Sequence, residues 1–524
     1  MENSTARDKS IRSAGKVSAG TLASRVLGLV REQVFAYLFG ASLAADAFIA
    51  AFRVPNLLRD MFAEGALSAA FIPTFTEKLT TDGKPEAFRV ARIVFSFLLV
   101  VVSAVVVAGM IFAPQVVDQI AGGFSVISGK IDLTASLARI MMPFLLCVSL
   151  AALLMGILNS LGIFGVPAFA PMLLNLAMIA AGFLLCPLFD PPIIGMAVGV
   201  VLGGVLQFAV QYPSVRKAGF KLGLDFNFRD SAFRKILTLM VPMAIGYSAT
   251  QINVFVVTRI AASLAQGSVS YLNYAFRLMH LPLGLFALAI ATVSLPEISR
   301  YAALKDNKRI AESYMNSLKL GLFLVIPASI VLIFGGEAII SVLFQHGHFS
   351  YQDTVGASSA LAFYSIGLLS FAAIRITVPV FYAFKETGKP IIASLASVTV
   401  NIILCYLLKD SLGFRGLALA AALAGFLNLG LLMIMLRFRL PEITFGGEIR
   451  AFLKIVIVNG ILAVAIMLWS RYLSYDLSQS SLAYRILNLG ILLAGAISLY
   501  LTFARILHIK ELAGLTRIFK RIRG

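Results

Sequence analysis

The chain has 524 residues, of which 59% are hydrophobic and only 13% charged, and its formal net charge is +19. This composition excludes an ordinary soluble domain and is typical of a polytopic membrane protein. Because the lysines and arginines fall mostly in short segments between apolar runs, the positive charge indicates membrane orientation. We therefore predict no nucleic-acid partner.

Fourteen apolar stretches are long enough, at roughly 20 residues each, to cross a membrane as helices. In chain order they lie at 17–39, 43–76, 90–113, 134–158, 167–188, 193–214, 234–262, 268–298, 314–334, 355–384, 390–408, 414–436, 450–470 and 484–507. The gaps that follow even-numbered stretches are mostly basic, whereas those that follow odd-numbered stretches carry little net charge. The positive-inside rule then predicts that both termini are cytoplasmic.

The chain also repeats itself over its two halves. Matching segments occur at nearly equal offsets: Ala51-Phe52-Arg53 with Ala275-Phe276-Arg277, Phe71-Ile72-Pro73 with Ser294-Leu295-Pro296, Gly123-Phe124-Ser125 with His348-Phe349-Ser350, and Asn175 with Asn401. Since a repeat of six helices returns the chain to its starting side, the halves share one orientation, related by a pseudo-twofold axis along the membrane normal. We predict an N-lobe at 1–220, a C-lobe at 221–445 and a C-terminal helix pair at 446–524.

Arginines lie inside several stretches that otherwise have the composition of membrane helices. They are Arg25, Arg31, Arg53, Arg59 and Arg277. A charge at the centre of a membrane helix costs roughly 3 kcal/mol, so we expect these side chains to line a shared polar cavity. An excess of arginine there indicates an anionic cargo, since the planar guanidinium donates paired hydrogen bonds to phosphate. The alternative is that they form ion pairs between helices or extend to the membrane interface.

Further polar side chains are predicted to support these arginines. They are Ser24, Asp46, Asn56, Glu64 and Asn273. Residues seven apart nearly superimpose on a helix, so Asp46, Arg53 and Asp60 fall on one stripe, which Glu64 continues one turn after Asp60. This stripe is a polar face with charges of both signs. Asn273, Arg277 and His280 likewise share one side of their helix.

No motif predicts a cofactor or a metal site. Cys147, Cys186 and Cys405 show neither metal-ligand spacing nor a disulfide framework. His346 and His348 lack a further ligand at a suitable spacing. The sequence contains no glycine-rich phosphate loop, so we expect no nucleotide hydrolysis.

Distinctive segments occur along much of the chain. They are Ser24-Arg25-Val26-Leu27-Gly28, Arg31-Glu32, Asp46-Ala47-Phe48, Arg53-Val54-Pro55-Asn56-Leu57-Leu58-Arg59, Phe62-Ala63-Glu64-Gly65-Ala66, Pro167-Ala168-Phe169-Ala170-Pro171, Gly267-Ser268-Val269-Ser270, Arg277-Leu278-Met279 and Leu281-Pro282-Leu283-Gly284. In these segments the chain resembles the MurJ (MviN) lipid II flippases of bacterial peptidoglycan synthesis. That family belongs to the multidrug/oligosaccharidyl-lipid/polysaccharide exporter superfamily.

The resemblance implies an all-α polytopic protein of the bacterial inner membrane, with about fourteen transmembrane helices. Two six-helix lobes would surround a cationic cavity, and the last two helices would form a groove for a lipid tail. The implied cargo is lipid II, an undecaprenyl-pyrophosphate glycolipid, moved from the inner to the outer leaflet by alternating access for cell-wall biogenesis and cell shape. Membrane lipid and cell-wall synthesis proteins are the further partners, and no cofactor is implied.

Family residues carry over onto matching positions of this sequence. The functional arginines match Arg25, Arg31, Arg59 and Arg277, and Asp46 matches the family acid. The chain departs from the family beside Arg277, because Phe276 and His280 stand where many relatives carry acids.

Two other functions remain open from the residues alone. Another exporter of the superfamily, moving drugs or a different polyprenyl-linked glycan, explains the repeat and the topology equally well. A membrane-embedded glycosyl- or phosphotransferase needs carboxylates for metal or acid-base chemistry, and the acids inside the predicted helices are few. We therefore expect a transporter and not an enzyme.

Overall fold

The computed structural model describes the backbone of residues 2–59, 66–443, 449–473, 477–478, 480–509 and 511–512. Within these ranges it does not describe the side chains of 2–19, 66, 244–250, 449–452 and 472–473. The described residues form helices and no strand. A chain in lipid needs such a fold, because its backbone polar groups must be bonded within their own segment. The predicted all-α membrane fold class is therefore confirmed.

The chain divides into two compact units, Met1–Gln266 and Gly267–Gly524. The helices of the first unit are α1 (Glu2–Phe39), α2 (Leu43–Arg59), α3 (Ala66–Thr81), α4 (Gly83–Ile111), α5 (Ala113–Ala121), α6 (Lys130–Met141), α7 (Pro143–Ser160), α8 (Gly165–Leu184), α9 (Ile193–Lys217) and α10 (Ser231–Ala262). Short 3-10 helices lie at Gly122–Val126 and Cys186–Leu188.

The second unit continues the helical pattern. Its helices are α11 (Ser268–Pro282), α12 (Leu288–Ala303), α13 (Asn307–Phe334), α14 (Gly336–Phe344), α15 (Tyr351–Ile366), α16 (Leu368–Ala383), α17 (Gly388–Leu412), α18 (Phe414–Arg439), α19 (Ile449–Leu468) and α20 (Leu482–Ile506). One turn of π-helix, Leu283–Ala287, joins α11 to α12 directly after Pro282, and a second, Trp469–Leu473, follows α19.

Ten segments of the described chain are helices long and apolar enough to cross a membrane, and the bent pair α15 and α16 makes an eleventh if it forms one span. These eleven coincide with predicted stretches. Among the residues that the structure describes, no helix within the predicted stretches 17–39, 43–76 and 234–262 reaches the same standard. Residues 60–65 and the side chains of 244–250 lie outside that part. The stretch 17–39 carries Arg25, Arg31 and Glu32, so the charges of the candidate site themselves lower its apolar character. Fourteen spans remain a prediction.

The compact units do not end where the sequence repeat ends. The repeat puts a lobe boundary at 220/221, whereas the first unit extends to Gln266 and includes α10, which packs on α3 and α5. The predicted C-terminal pair is represented by α19 and α20, which belong to the second unit. The predicted lobes thus follow the repeat of the sequence, and the units follow the packing of the helices.

In the first unit, α1 and α9 pack closely against α8. A Cβ atom at Gly199 of α9 would lie 2.5 Å from the Cβ of Ala181, so only glycine permits this approach. On the other side of α8, a Cβ atom at Gly20 of α1 would lie 2.8 Å from the carbonyl oxygen of Ala168. Small residues therefore bring α8 close to both neighbours, as in membrane helix pairs generally.

Three long-range hydrogen bonds attach the C-terminal pair to the rest of the second unit. The Tyr500 hydroxyl donates to the Phe323 carbonyl at 2.6 Å. The guanidinium of Arg485 donates to the carbonyl of Gln345 at 2.9 Å, and the Gln345 amide donates to the carbonyl of Leu477 at 3.1 Å. Both ends of α20 are thus held against α13 and the end of α14.

Candidate functional site

The two predicted arginines of α1 have different surroundings. Arg25 is exposed and makes no hydrogen bond or ion pair with a described residue. Arg31 is only 7% exposed and forms an ion pair with the neighbouring Glu32. Its guanidinium also lies 3.9 Å from the sulfur of Met178 in α8. The ion-pair interpretation therefore applies to Arg31, and Arg25 is accessible to a ligand.

A hydrogen bond between helices sets the rotation of α1. The Asn175 side chain of α8 donates to the carbonyl oxygen of Ser24 at 3.1 Å. Asn175 is 7% exposed, so its amide needs this partner. Ser24, which was predicted to support the arginines, lies directly before Arg25 and is half-buried. The backbone contact at Ser24 thus holds the turn that carries Arg25.

Arg53 of α2 is attached to α10. Its guanidinium donates to the hydroxyl of Thr258 and, at 3.3 Å, to the carbonyl of Val254. Asn56 and Arg59 lie further along α2, and both are half-buried. These contacts connect a predicted cavity arginine to a neighbouring helix of the same unit.

Glu64, the remaining predicted residue of this region, lies in the segment 60–65, outside the described residues. The structure therefore describes α2 and α3 separately within the stretch 43–76, which was predicted as one helix.

Asp46 forms a buried ion pair that the sequence did not indicate. Its carboxylate lies 3.0 Å from the ammonium nitrogen of Lys130, and the two side chains are 1% and 2% exposed. Lys130 also lies over the ring of Phe124, 3.9 Å from the ring centroid. The predicted stripe placed Asp46 with Arg53, but the structure pairs its carboxylate with a lysine from the start of α6.

The second unit places a second arginine near His280, a residue of the helix that carries Arg277. Arg277 and His280 lie on α11, and Arg375 lies on α16. Both arginines are exposed and near enough to His280 to affect it electrostatically. The sequence contained the signal for Arg375, because that residue interrupts the apolar stretch 355–384. Arg375 was not among the residues predicted from the sequence.

Phe276 and His280, which lie close to Arg277 on α11, contact each other. The ring of His280 lies 4.1 Å from that of Phe276, measured between centroids, and one ring nitrogen lies 2.9 Å from the Phe276 carbonyl. The predicted Asn273 is half-buried one turn earlier. The π-helical turn begins at Leu283, directly after Pro282. Such turns frequently occur at functional sites in helices.

The chemistry of these groups suits an anion. Arginine remains charged and donates several hydrogen bonds in a fixed plane, which matches phosphate oxygens. Within the described part of the chain, no group of three or more His, Cys, Asp or Glu side chains is arranged to hold a metal ion. Arg25 in the first unit and the pair Arg277 and Arg375 in the second are the most accessible of the arginines named above.

Comparison with known proteins gives the same family from sequence and from structure. The family model described as "Lipid II flippase MurJ" matches residues 35–487. The probable lipid II flippase MurJ of Vibrio cholerae is 36% identical over 501 residues, which cover 93% of this chain and 95% of that protein. The lipid II flippase MurJ of Burkholderia cenocepacia is 34% identical over 84% of this chain and 86% of its own length.

Solved structures agree with these relatives. A lipid II flippase MurJ in an inward closed conformation matches 94% of this chain and 98% of its own, with a TM-score of 0.78 and 30% identity. An inward-facing multidrug resistance transporter of the MATE family matches 80% of this chain and 95% of its own with a TM-score of 0.67, but only 15% identity, and so shows a shared fold alone. The chain therefore belongs to the lipid II flippase MurJ family.

Proposed function

We propose that this chain is a lipid II flippase that moves the undecaprenyl-pyrophosphate-linked peptidoglycan precursor from the inner to the outer leaflet of the bacterial cytoplasmic membrane. The observation that carries the proposal is the placement of accessible arginines on helices of a chain whose relatives are named lipid II flippases. The cargo's pyrophosphate is the anion that such arginines would bind.

The binding residues in this proposal are Arg25, Arg31, Arg53, Arg59 and Arg277, supported by Ser24, Asp46, Asn56, Glu64 and Asn273. Arg25 and Arg277 are the members of the set that are accessible to an anion, because both are exposed. Arg53 contributes positive charge while it remains bonded to α10, whereas Glu32 balances the charge of Arg31. Arg375 joins the set because of its proximity to His280.

The transport cycle that we propose is alternating access. Fourteen helices, two six-helix lobes related by a pseudo-twofold axis and two cytoplasmic termini are its topological basis. Because the cytoplasm is electrically negative, outward movement of an anion gains about 2.3 kcal/mol per charge per 100 mV. The membrane potential then assists turnover without ATP. Cell-wall synthesis proteins are proposed partners, and no enzymatic step is part of the cycle.

The test is depletion of the protein in its own bacterium, followed by a leaflet-accessibility assay for lipid II. We expect accumulation in the inner leaflet, with rescue by the wild type and by Arg216→Ala, which removes an exposed arginine at the end of α9. Arg277→Ala, at equal membrane abundance, should not rescue. An unchanged distribution of lipid II, in a strain without a second flippase, would overturn the proposal and point to a different cargo.

A further inference from the structure

Lys130 occupies a position that local preferences oppose. It is the first residue of α6, where the positive end of the helix dipole repels a cation. Its exposure is only 1%, and lysine is almost never fully buried unless it is paired. A residue that violates two local rules indicates a compensating tertiary contact.

The compensation comes from two residues. Asp46, in the first turn of α2, accepts a hydrogen bond from the ammonium group at 3.0 Å. The ring face of Phe124 lies on the same ammonium group, 3.9 Å away. A carboxylate and an aromatic face together stabilise a cation that has lost its water. The pair thus joins the start of α2 to the start of α6.

The segment that precedes Lys130 contacts α10 as well. The guanidinium of Arg259 donates to the carbonyl of Gln119 at 2.6 Å. A Cβ atom at Gly123 would lie 2.4 Å from the Cα of Ser263, so the two backbones approach as closely as glycine allows. The segment 119–130 is therefore packed against the end of α10.

These contacts connect α2, α10 and the start of α6 in a closed cycle inside the first unit. Arg53 connects α2 to α10 through Thr258, the end of α10 contacts the segment 119–130, and Lys130 returns from that segment to α2 through Asp46. This cycle of contacts fixes α2 at two points, Asp46 and Arg53, that lie seven residues apart. Both points lie on one face of the helix, since seven residues make nearly two turns.

We propose that Lys130 is a positioning residue for cargo movement. By pairing with Asp46 it keeps α2 fixed on α6 and α10, and so keeps Arg53 in place while lipid II passes. The inference rests on the proposed function. Loss of the ammonium group alone leaves a buried carboxylate without this cation. This change destabilises the fold more than loss of both charges together.

The experiment compares four variants in the full-length protein with the wild type. Lys130→Met removes the charge, Lys130→Gln keeps a hydrogen-bond donor, and Asp46→Asn combined with Lys130→Met removes both charges. Lys409→Met is the matched control, because Lys409 also lies over an aromatic ring, 5.8 Å from the centroid of Tyr406, but is only half-buried. The readouts are amide hydrogen exchange in α2 and α9, and the initial rate of lipid II flipping per folded protein in vesicles.

We expect Lys130→Met to raise amide exchange in α2 about tenfold while α9 is unchanged, and to lower the flipping rate about tenfold. The double variant should return amide exchange in α2 to within about threefold of the wild type, and Lys130→Gln should be intermediate in both readouts. Lys409→Met should match the wild type in both readouts. Recovery in the double variant supports the pair, because a purely local packing role of the lysine would not respond to Asp46.

Three results overturn the inference. They are wild-type exchange in α2 of a folded Lys130→Met variant, an equal rise of exchange in α2 and α9, and a folded double variant whose exchange in α2 stays as high as that of Lys130→Met. If the wild type does not flip lipid II in the same vesicles, the proposed function fails, and exchange in α2 still decides the role of Lys130. If Lys130→Met does not accumulate, the same criteria apply to Lys130→Gln.

Discussion

The two copies of the repeated triplet carry matching arginines in different surroundings. Arg53 is half-buried, and its guanidinium is hydrogen-bonded to a hydroxyl and a carbonyl of α10. Arg277 is exposed and lies near His280, with Arg375 close by. The same three residues therefore support two roles, because the helices packed around them differ.

The phenylalanines of the two triplets show the same difference. The ring of Phe52 lies 6.1 Å from that of Phe48 and 5.8 Å from that of Phe144, so it belongs to the packing between helices. Phe276 is 47% exposed, although its ring lies tilted against that of His280 and 5.8 Å from that of Tyr364 in α15. We infer that Arg53 mainly holds α2 in place and that Arg277 mainly contacts cargo.

Arg277→Ala should have the largest effect. A hydrogen bond to a charged group is worth about 1.5–3 kcal/mol, which corresponds to a loss of roughly ten- to hundredfold in rate. The initial rate of lipid II flipping in vesicles, normalised to folded protein, measures this loss. Full activity of the variant would remove Arg277 from the binding set and leave the two triplets functionally alike.

Arg375→Gln should follow, with a loss of about tenfold in the apparent affinity for lipid II. Glutamine keeps hydrogen-bond donors but removes the charge, so the positive potential around His280 falls. The measurement is the dependence of flipping rate on lipid II density, where the half-saturating density should rise more than the maximal rate falls. An unchanged half-saturating density would show that Arg277 acts without Arg375.

Arg53→Ala should reduce stability more than it reduces cargo affinity. Arg53 is a charged donor, so loss of a hydrogen bond from its guanidinium costs about 1.5–3 kcal/mol, while the Thr258 hydroxyl keeps its own donation to the Val254 carbonyl at 2.6 Å. Thermal unfolding in detergent should shift downward, with a loss in flipping rate smaller than that of Arg277→Ala. Equal losses at the two positions would contradict the division of roles between the triplets.

Asn175→Leu should have the smallest effect of the four. It removes the hydrogen bond to the Ser24 carbonyl, worth about 1 kcal/mol, while leucine keeps the volume of the side chain. Thermal unfolding and flipping rate at matched abundance measure the result, which should be a rate loss below about threefold. A loss as large as that of Arg277→Ala would show that flipping depends more strongly on the position of α1, and with it of Arg25, than we infer.

The sequence predicted the class of the fold and the helices that carry the arginines. Hydropathy located eleven of the spans, because each must be apolar along its length to lie in lipid. The described part of the stretch around Arg25 failed the same test, because Arg25, Arg31 and Glu32 replace apolar residues there. Functional residues therefore weaken the signal that identifies their own helices.

Lys130 shows why part of the candidate site could not be predicted. In the sequence it belongs to a polar gap between two apolar stretches, where a lysine is expected to be solvated. Its partner Asp46 lies 84 residues away in the chain. No periodicity within either helix connects the two, so their pairing depends on how α2 and α6 pack. Arg375, by contrast, was visible in the sequence as a charge in an apolar run.

The sequence by itself determined that this is a helical membrane protein with a repeat, arginines inside its helices and the motifs of the lipid II flippase family. These properties depend on composition, local periodicity and residue identity, all of which can be read directly from the amino-acid sequence. Only the tertiary structure decided which groups distant charges contact: Asp46 forms an ion pair with Lys130, and Arg53 donates hydrogen bonds to a hydroxyl and a carbonyl of α10. The physical reason is that an ion pair forms between groups that packing brings within about 4 Å, whatever their separation along the chain.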